Sequence, residues 1–182
     1  MPPALSDGRL RLVPLPDARP DAFAEATRAA AGSVTEWLTA AFVPTEPDDV
    51  AAFVALWERE AAQGTGMGYA VERLADGRVV GFGFLNHVLA RHRFCNLGYW
   101  VRPDAEGQGV ATAVTRMLAH VGFVQLGLAR IEIVMDPENV ASRRVAEKAG
   151  ARFEGRLRNR LSSDRGVRDG LMFSLVPADL GL

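Results

Sequence analysis

The run Tyr99-Trp100-Val101-Arg102-Pro103-Asp104-Ala105-Glu106-Gly107-Gln108-Gly109-Val110-Ala111 joins an apolar, aromatic strand to a helix across a glycine-bearing turn. The helical pattern continues through Val110, Val114, Met117, Leu118 and Val121. Amides at a helix start have no partner inside the helix, and the helix dipole places partial positive charge there. Gly107 and Gly109 let the backbone approach a bound group closely. Such a loop suits a diphosphate, although the same residues also serve as a plain strand-to-helix turn. It is not a P-loop, because no Gly-Lys-Ser/Thr follows, and the third glycine of a dinucleotide fingerprint is missing.

A second candidate lies at Asn139 and Ser142, which open a later helix. Their simplest role is capping, since Asn is a good N-cap and Ser is tolerated in the first turn. His87, beside Asn86, is a candidate base with an ordinary pKa near 6.5. Glu36, next to Trp37, is another. Both residue types also serve as surface groups with no chemistry. Cys95 sits in an alternating run and reads as a small packed residue.

Around these groups the chain alternates between the two regular periods. Arg9–Val13 reads as a first strand stopped by Pro14 and Pro16. Asp17 is placed to cap a helix through Ala31, with Gly32 breaking the pattern before a short segment from Val34 to Leu38. Thr45-Glu46-Pro47 opens a helix to Gln63, with Val50, Phe53, Val54 and Trp57 on one face. Strands are expected at Met67–Arg73, Arg78–Leu85 and Phe94–Val101, with Asp76-Gly77 as the tight turn between the first two. The helix after the glycine loop should end near Gly127. A strand at Arg130–Met135, a helix at Ala141–Lys148, and strands at Arg152–Leu161 and Val167–Val176 follow, the last two joined at Asp164-Arg165-Gly166. The order β-α-α-β-β-β-α-β-α-β-β is that of an α/β fold, and 182 residues fit one domain spanning 1–182.

Composition narrows the function classes. A formal net charge of -1 gives no overall basic field for nucleic acid. Arginines nonetheless crowd the C-terminal region at Arg152, Arg156, Arg158, Arg160, Arg165 and Arg168, either as a solvated strand face or beside an anionic ligand. One cysteine excludes an intrachain disulfide and a Cys-rich metal site, and the three histidines, His87, His92 and His120, lack metal-ligand spacing. The start Met1-Pro2-Pro3-Ala4 lacks signal-peptide character, and no apolar run reaches membrane-span length, so a cytoplasmic location away from membranes is expected.

The element order and the glycine loop resemble the GNAT acyltransferase superfamily, and further motifs resemble its ribosomal-protein N-terminal (alanine/serine) acetyltransferase branch. Asn139-Val140-Ala141-Ser142 with Glu147-Lys148-Ala149-Gly150 is similar to that branch's Asn-x-x-Ser…Glu-Lys-x-Gly segment. Glu154-Gly155-Arg156-Leu157-Arg158, Gly98-Tyr99-Trp100-Val101 and Trp37-Leu38 match its other motifs, so the likeness spans most of the chain. Three departures stand out. Glu106 replaces the usual Gln/Arg of the loop, Asn96 replaces a Glu before the Leu-Gly-Tyr-Trp run, and Asn159-Arg160-Leu161 lacks an acid found in some relatives.

The resemblance implies a mixed, mostly antiparallel sheet flanked by helices, with two splayed strands gripping acetyl-CoA or another acyl-CoA, and no metal. Backbone groups of Trp100, Val101 and Arg102 would line the pantetheine arm, with the Val101 amide polarising the thioester carbonyl. Amides of Gly107, Gln108, Gly109, Val110 and Ala111 would take the pyrophosphate. Asn139 would face the pantetheine amides, and the Ser142 hydroxyl would assist the departing thiolate, whereas Tyr99 is expected to be packed. Trp37, Leu38, Asn86, His87 and Asn96 would surround the acceptor. The activity expected is acyl transfer to a primary amine, with a protein N-terminus as one acceptor. Succinyl or other acyl transfer to a small amine or antibiotic, and a non-catalytic acyl-CoA-binding domain, are the alternatives. The sequence leaves a homodimer open.

Overall fold

The computed structural model describes residues 4–163 and 166–182. Met1, Pro2 and Pro3, and Asp164 and Arg165 of the expected hairpin joint, lie outside the described residues. The strands are β1 (Leu5–Ser6), β2 (Leu10–Pro14), β3 (Met67–Arg73), β4 (Arg78–Leu89), β5 (Phe94–Val101), β6 (Arg130–Met135), β7 (Arg152–Ser163) and β8 (Gly166–Leu175). They form one sheet in the order β1-β2-β3-β4-β5-β6-β8-β7. Every neighbouring pair is antiparallel except β5 with β6. The helices are α1 (Pro20–Val34), α2 (Pro47–Gln63), α3 (Val110–His120), which runs on into a π turn, and α4 (Val140–Ala149).

Period-2 alternation sends side chains to two separate cores. On one face Leu12, Tyr69, Leu97 and Phe173 pack with Val114 and Leu118 of α3 and Ala146 of α4. On the other, Phe82, Phe84 and Trp100 pack with Phe23 of α1 and Phe53 and Trp57 of α2. This second core is an aromatic cluster with ring centroids 5.3–6.2 Å apart among Phe23, Phe53, Phe82 and Trp100. Gly98 has to be glycine in this packing, because a β-carbon there would run into the Phe84 ring.

Several element boundaries differ from the sequence reading. Asp17 caps nothing; it lies in a 3-10 turn (Leu15–Asp17), and α1 starts at Pro20 with Arg19 in the N-cap position. Proline at the first helical position has no N–H to leave orphaned, so the start moves there. Gly32 does not break α1, which continues to Val34. Burying Val34 outweighs glycine's penalty of roughly 1 kcal/mol within a helix. Pro14 ends β2 inside the ladder, opposite Tyr69. Leu74 N donates to Arg9 O, so residues 9, 11 and 13 hydrogen-bond to β3 while Pro14 turns toward the side that β1 covers only at Arg11 and Leu12. β4 runs past Leu85 to Leu89 through a bulge, with His87 at φ 50.

Candidate active site

β5 and β6 pair only over Phe94–Asn96 with Arg130–Glu132, and then separate. Arg102 N donates to Val80 O at 2.9 Å, which fixes the alternation of the β4/β5 ladder. The backbone groups of Gly98, Trp100 and Arg102 therefore turn toward β4. Those of Tyr99 and Val101 turn toward β6 beyond its last rung at Asn96 and Glu132, where no ladder receives them. A cavity of about 540 Å³ fills this gap and reaches both layers. Its lining includes the glycine loop, Asn139 and Ser142 on one side of the sheet and Trp37 and Leu38 on the other.

At the loop, Gly107 and Gly109 hold φ 70 and 78, a region glycine adopts without strain. No side chain caps the start of α3. The first bond across its opening turn runs from Ala113 N to Gly109 O, which leaves the amides of Val110, Ala111 and Thr112 without an acceptor inside the helix. Glu106, Gly107, Gly109, Val110, Ala111 and Thr112 line the cavity. Gln108 is not among the lining residues; its side chain donates to Asp104 O and its carbonyl accepts from Arg9.

The Asp136-Pro137-Glu138-Asn139 turn sets up α4. Asp136 accepts from Glu138 N through Oδ1, and its carbonyl accepts from Asn139 N, both at 2.9 Å. Arg168 on β8 braces the same turn, with Nε 2.8 Å from Asp136 Oδ2 and a second nitrogen 2.7 Å from Glu138. Asn139 Oδ1 accepts from Ser142 N at 2.9 Å, so the capping role is realised while both residues face the cavity.

Ser142 Oγ lies 3.1 Å from the Tyr99 hydroxyl. Tyr99 is thus not merely packed, as its place in an alternating strand suggested; its phenol reaches across the splay to the α4 start. Burial pushes that phenol up to about 12, with the Ser142 contact pulling the other way, so it holds its proton at neutral pH. The signal available in sequence was its parity with Leu97 and Val101, all on the α3/α4 face.

Trp37 and Leu38 are half-buried and not part of the closed core. They line both the main cavity and an adjoining one of about 110 Å³, together with Glu36 and Asp136. The structure gives the remaining candidates other partners or other places. Arg102 does not line the cavity: its guanidinium is buried in ion pairs with Glu25 of α1 and Asp104, and its amide belongs to the sheet. Trp100 lines the gap, but its indole is buried and donates to Phe42 O. Asn86, His87 and Asn96 line neither cavity. Asn96 donates to Asn86 at 2.8 Å at the end of β5 where β6 still pairs, and His87 is exposed on the β4 bulge. Cys95 is buried, and burial with nearby Glu132 pushes its thiol up to about 12, as expected of a packed residue. No helix among the described residues is long and apolar enough to cross a membrane.

Comparison with known proteins agrees with this geometry. The model of the acetyltransferase (GNAT) domain matches residues 9–152. A candidate ribosomal N-acetyltransferase of Bacillus subtilis, YdaF, is 30% identical over 142 residues, covering 78% of this chain and 76% of that protein. A spermidine N(1)-acetyltransferase of Escherichia coli is 30% identical over a shorter stretch, 40% of this chain and 38% of its own. The structure of Mycobacterium smegmatis RimJ in complex with CoA-disulfide superposes with a TM-score of 0.84 at 27% identity, over 95% of this chain and 84% of that one. The chain belongs to the GNAT acetyltransferase family, whose reaction is the transfer of an acetyl group from acetyl-CoA to an amine nitrogen.

Proposed function

We propose that the acceptor is the N-terminal amine of a protein. The observation that carries this reading is the cavity passing through the β5/β6 gap, with amides lacking a helical acceptor on the α3/α4 side and an open, partly aromatic mouth at Trp37 on the other. A polypeptide end, unlike a bulky internal chain, fits such a mouth. The relatedness to YdaF and RimJ supports it.

In this reading the pyrophosphate of acetyl-CoA sits on the amides from Gly107 to Thr112, and the pantetheine arm hydrogen-bonds to the outward-turned backbone of Tyr99 and Val101. The Val101 amide donates to the thioester oxygen as negative charge develops there. The amine lone pair attacks the carbonyl carbon, the C–S bond breaks, and the electron pair leaves on sulfur. Tyr99 donates to Ser142 Oγ, which directs the Ser142 hydrogen at the departing thiolate. The surplus proton leaves from nitrogen to water or to Glu36 in the lining. An α-amine has a pKa near 8, so a useful fraction is neutral at pH 7 without a dedicated base.

The test is turnover of acetyl-CoA with a panel of short peptides carrying free or blocked N-termini, beside spermidine and other small amines. Mass spectrometry should place the acetyl group on the free peptide N-terminus. Turnover confined to spermidine would replace this reading with a polyamine acceptor, which Glu36 in the lining would also suit.

A further inference from the structure

We infer that an arginine bulge on β7 docks acidic residues that directly follow the accepting amine, so that the enzyme selects peptides with an acidic N-terminal segment. This rests on the N-terminal amine reading above. Leu157 pairs with Gly170 and the next pair is Leu161 with Arg168, so Arg158, Asn159 and Arg160 together oppose Asp169. The bulge is built in. Asn159 holds φ 52 and its amide donates to Asp169 Oδ1 at 3.0 Å, while Arg156 Nε lies 2.8 Å from Asp169 Oδ2. Bulges of this kind re-aim side chains at the rims of sheets. Here Arg156, Arg158 and Arg160 are all exposed, and Asp169 offsets one of these positive charges.

The bulge also adjoins the acceptor mouth. A β-carbon on Gly170 would lie 3.3 Å from the Arg160 stem and 2.8 Å from Val134, so the base of the Arg160 side chain lies over β8 on the same face as Val134 of the cavity lining. Leu161, the next residue, lines both cavities. Arg158 and Arg160 line neither cavity; they are exposed on β7 in the residues directly before Leu161 of the lining. An extended peptide advances by about 3.3–3.6 Å per residue, so the positions just after the amine meet the bulge. Carboxylates there would pair with Arg158 and Arg160.

The experiment compares kcat/KM for three peptides sharing the same first residue and followed by acidic, neutral or basic residues, at low and high salt. Each exposed pair contributes modestly, so the acidic peptide should exceed the basic one by about three- to tenfold at low salt. The margin should shrink toward unity as salt screens the charges. Arg158→Glu with Arg160→Glu should invert the preference while leaving the neutral peptide unchanged. The wild-type comparison stands even if that variant folds poorly. Equal turnover of all three peptides by the wild type, or a preference that survives the charge reversal, overturns the dock and leaves N-terminal acetylation intact. Indifference to peptide acidity together with inhibition by a short RNA would assign the bulge to phosphate instead. Turnover of small amines with no peptide turned over would remove the N-terminal reading and this inference with it.

Discussion

Replacing Tyr99 by Phe removes one oxygen atom, and its consequence follows from the 3.1 Å contact with Ser142. The ring stays packed beside Leu97 and Val101, so folding stability should change by no more than about 1 kcal/mol. What is lost is the partner that orients the Ser142 hydroxyl. A neutral hydrogen bond is worth roughly 0.5–1.5 kcal/mol, which corresponds to about a two- to twelvefold fall in kcat. Losing the Ser142 donor itself should lower kcat by about 10²–10⁴-fold. The two hydroxyls act in series, so their losses should not add. The assay is release of free thiol from acetyl-CoA at saturating acceptor, for both single variants and the double. In the Ser142→Ala background, Tyr99→Phe should have almost no further effect, and the Michaelis constant for acetyl-CoA should barely move in any variant. An equal fall in both backgrounds would show that Tyr99 acts independently of Ser142. Wild-type kcat in Ser142→Ala would reduce the pair to a helix-start contact.

Gly109→Val forces a β-branched residue into φ 78 at the helix start, so calorimetry should show a large loss of coenzyme A affinity in a folded protein; unchanged affinity would mean the diphosphate binds elsewhere. Trp37→Ala should abolish most acceptor turnover while coenzyme A affinity persists, and truncating this half-buried ring should cost only about 1–2 kcal/mol, less than a core tryptophan. A large drop in melting temperature with normal acceptor kinetics would make Trp37 a core residue after all. Burial raises Tyr69 and Tyr99 from 10.0 to about 12, so the stability tied to their neutral forms is complete below pH 10 and is lost as pH rises through 12. Urea unfolding across that window should weaken by about 1–3 kcal/mol per tyrosine, with tyrosinate absorbance appearing late in the folded protein.

What could be read from the sequence was mostly local. The glycine loop, the Asn139 cap on Ser142 and the Asp76-Gly77 turn depend on residues within a few positions of one another, where φ preferences and orphaned amides decide the outcome. The strand Arg130–Met135, with its period-2 pattern, and the apolar run Met67–Arg73, buried along nearly its whole length, have the expected bounds. Helix starts were harder, because Asp17 and Pro20 both suit that position and proline's missing N–H favoured the start at Pro20. The motifs resembling acetyltransferases located the Ser142 turn and the Trp37 segment.

Tertiary structure alone decided which of these residues meet. Tyr99 and Ser142 are 43 positions apart, and their contact needs the strand register, the splay and the α4 turn together. Arg102 followed a motif into the site on paper, yet the β4/β5 ladder claims its amide and Glu25 and Asp104 claim its side chain. Asn86, His87 and Asn96 are close in sequence to functional strands, but they sit at the end where β5 and β6 still pair. A sequence specifies backbone preference one neighbourhood at a time. Which amides point into a gap, and which side chains share it, depends on where a ladder stops, and that is set by the packing of the whole sheet.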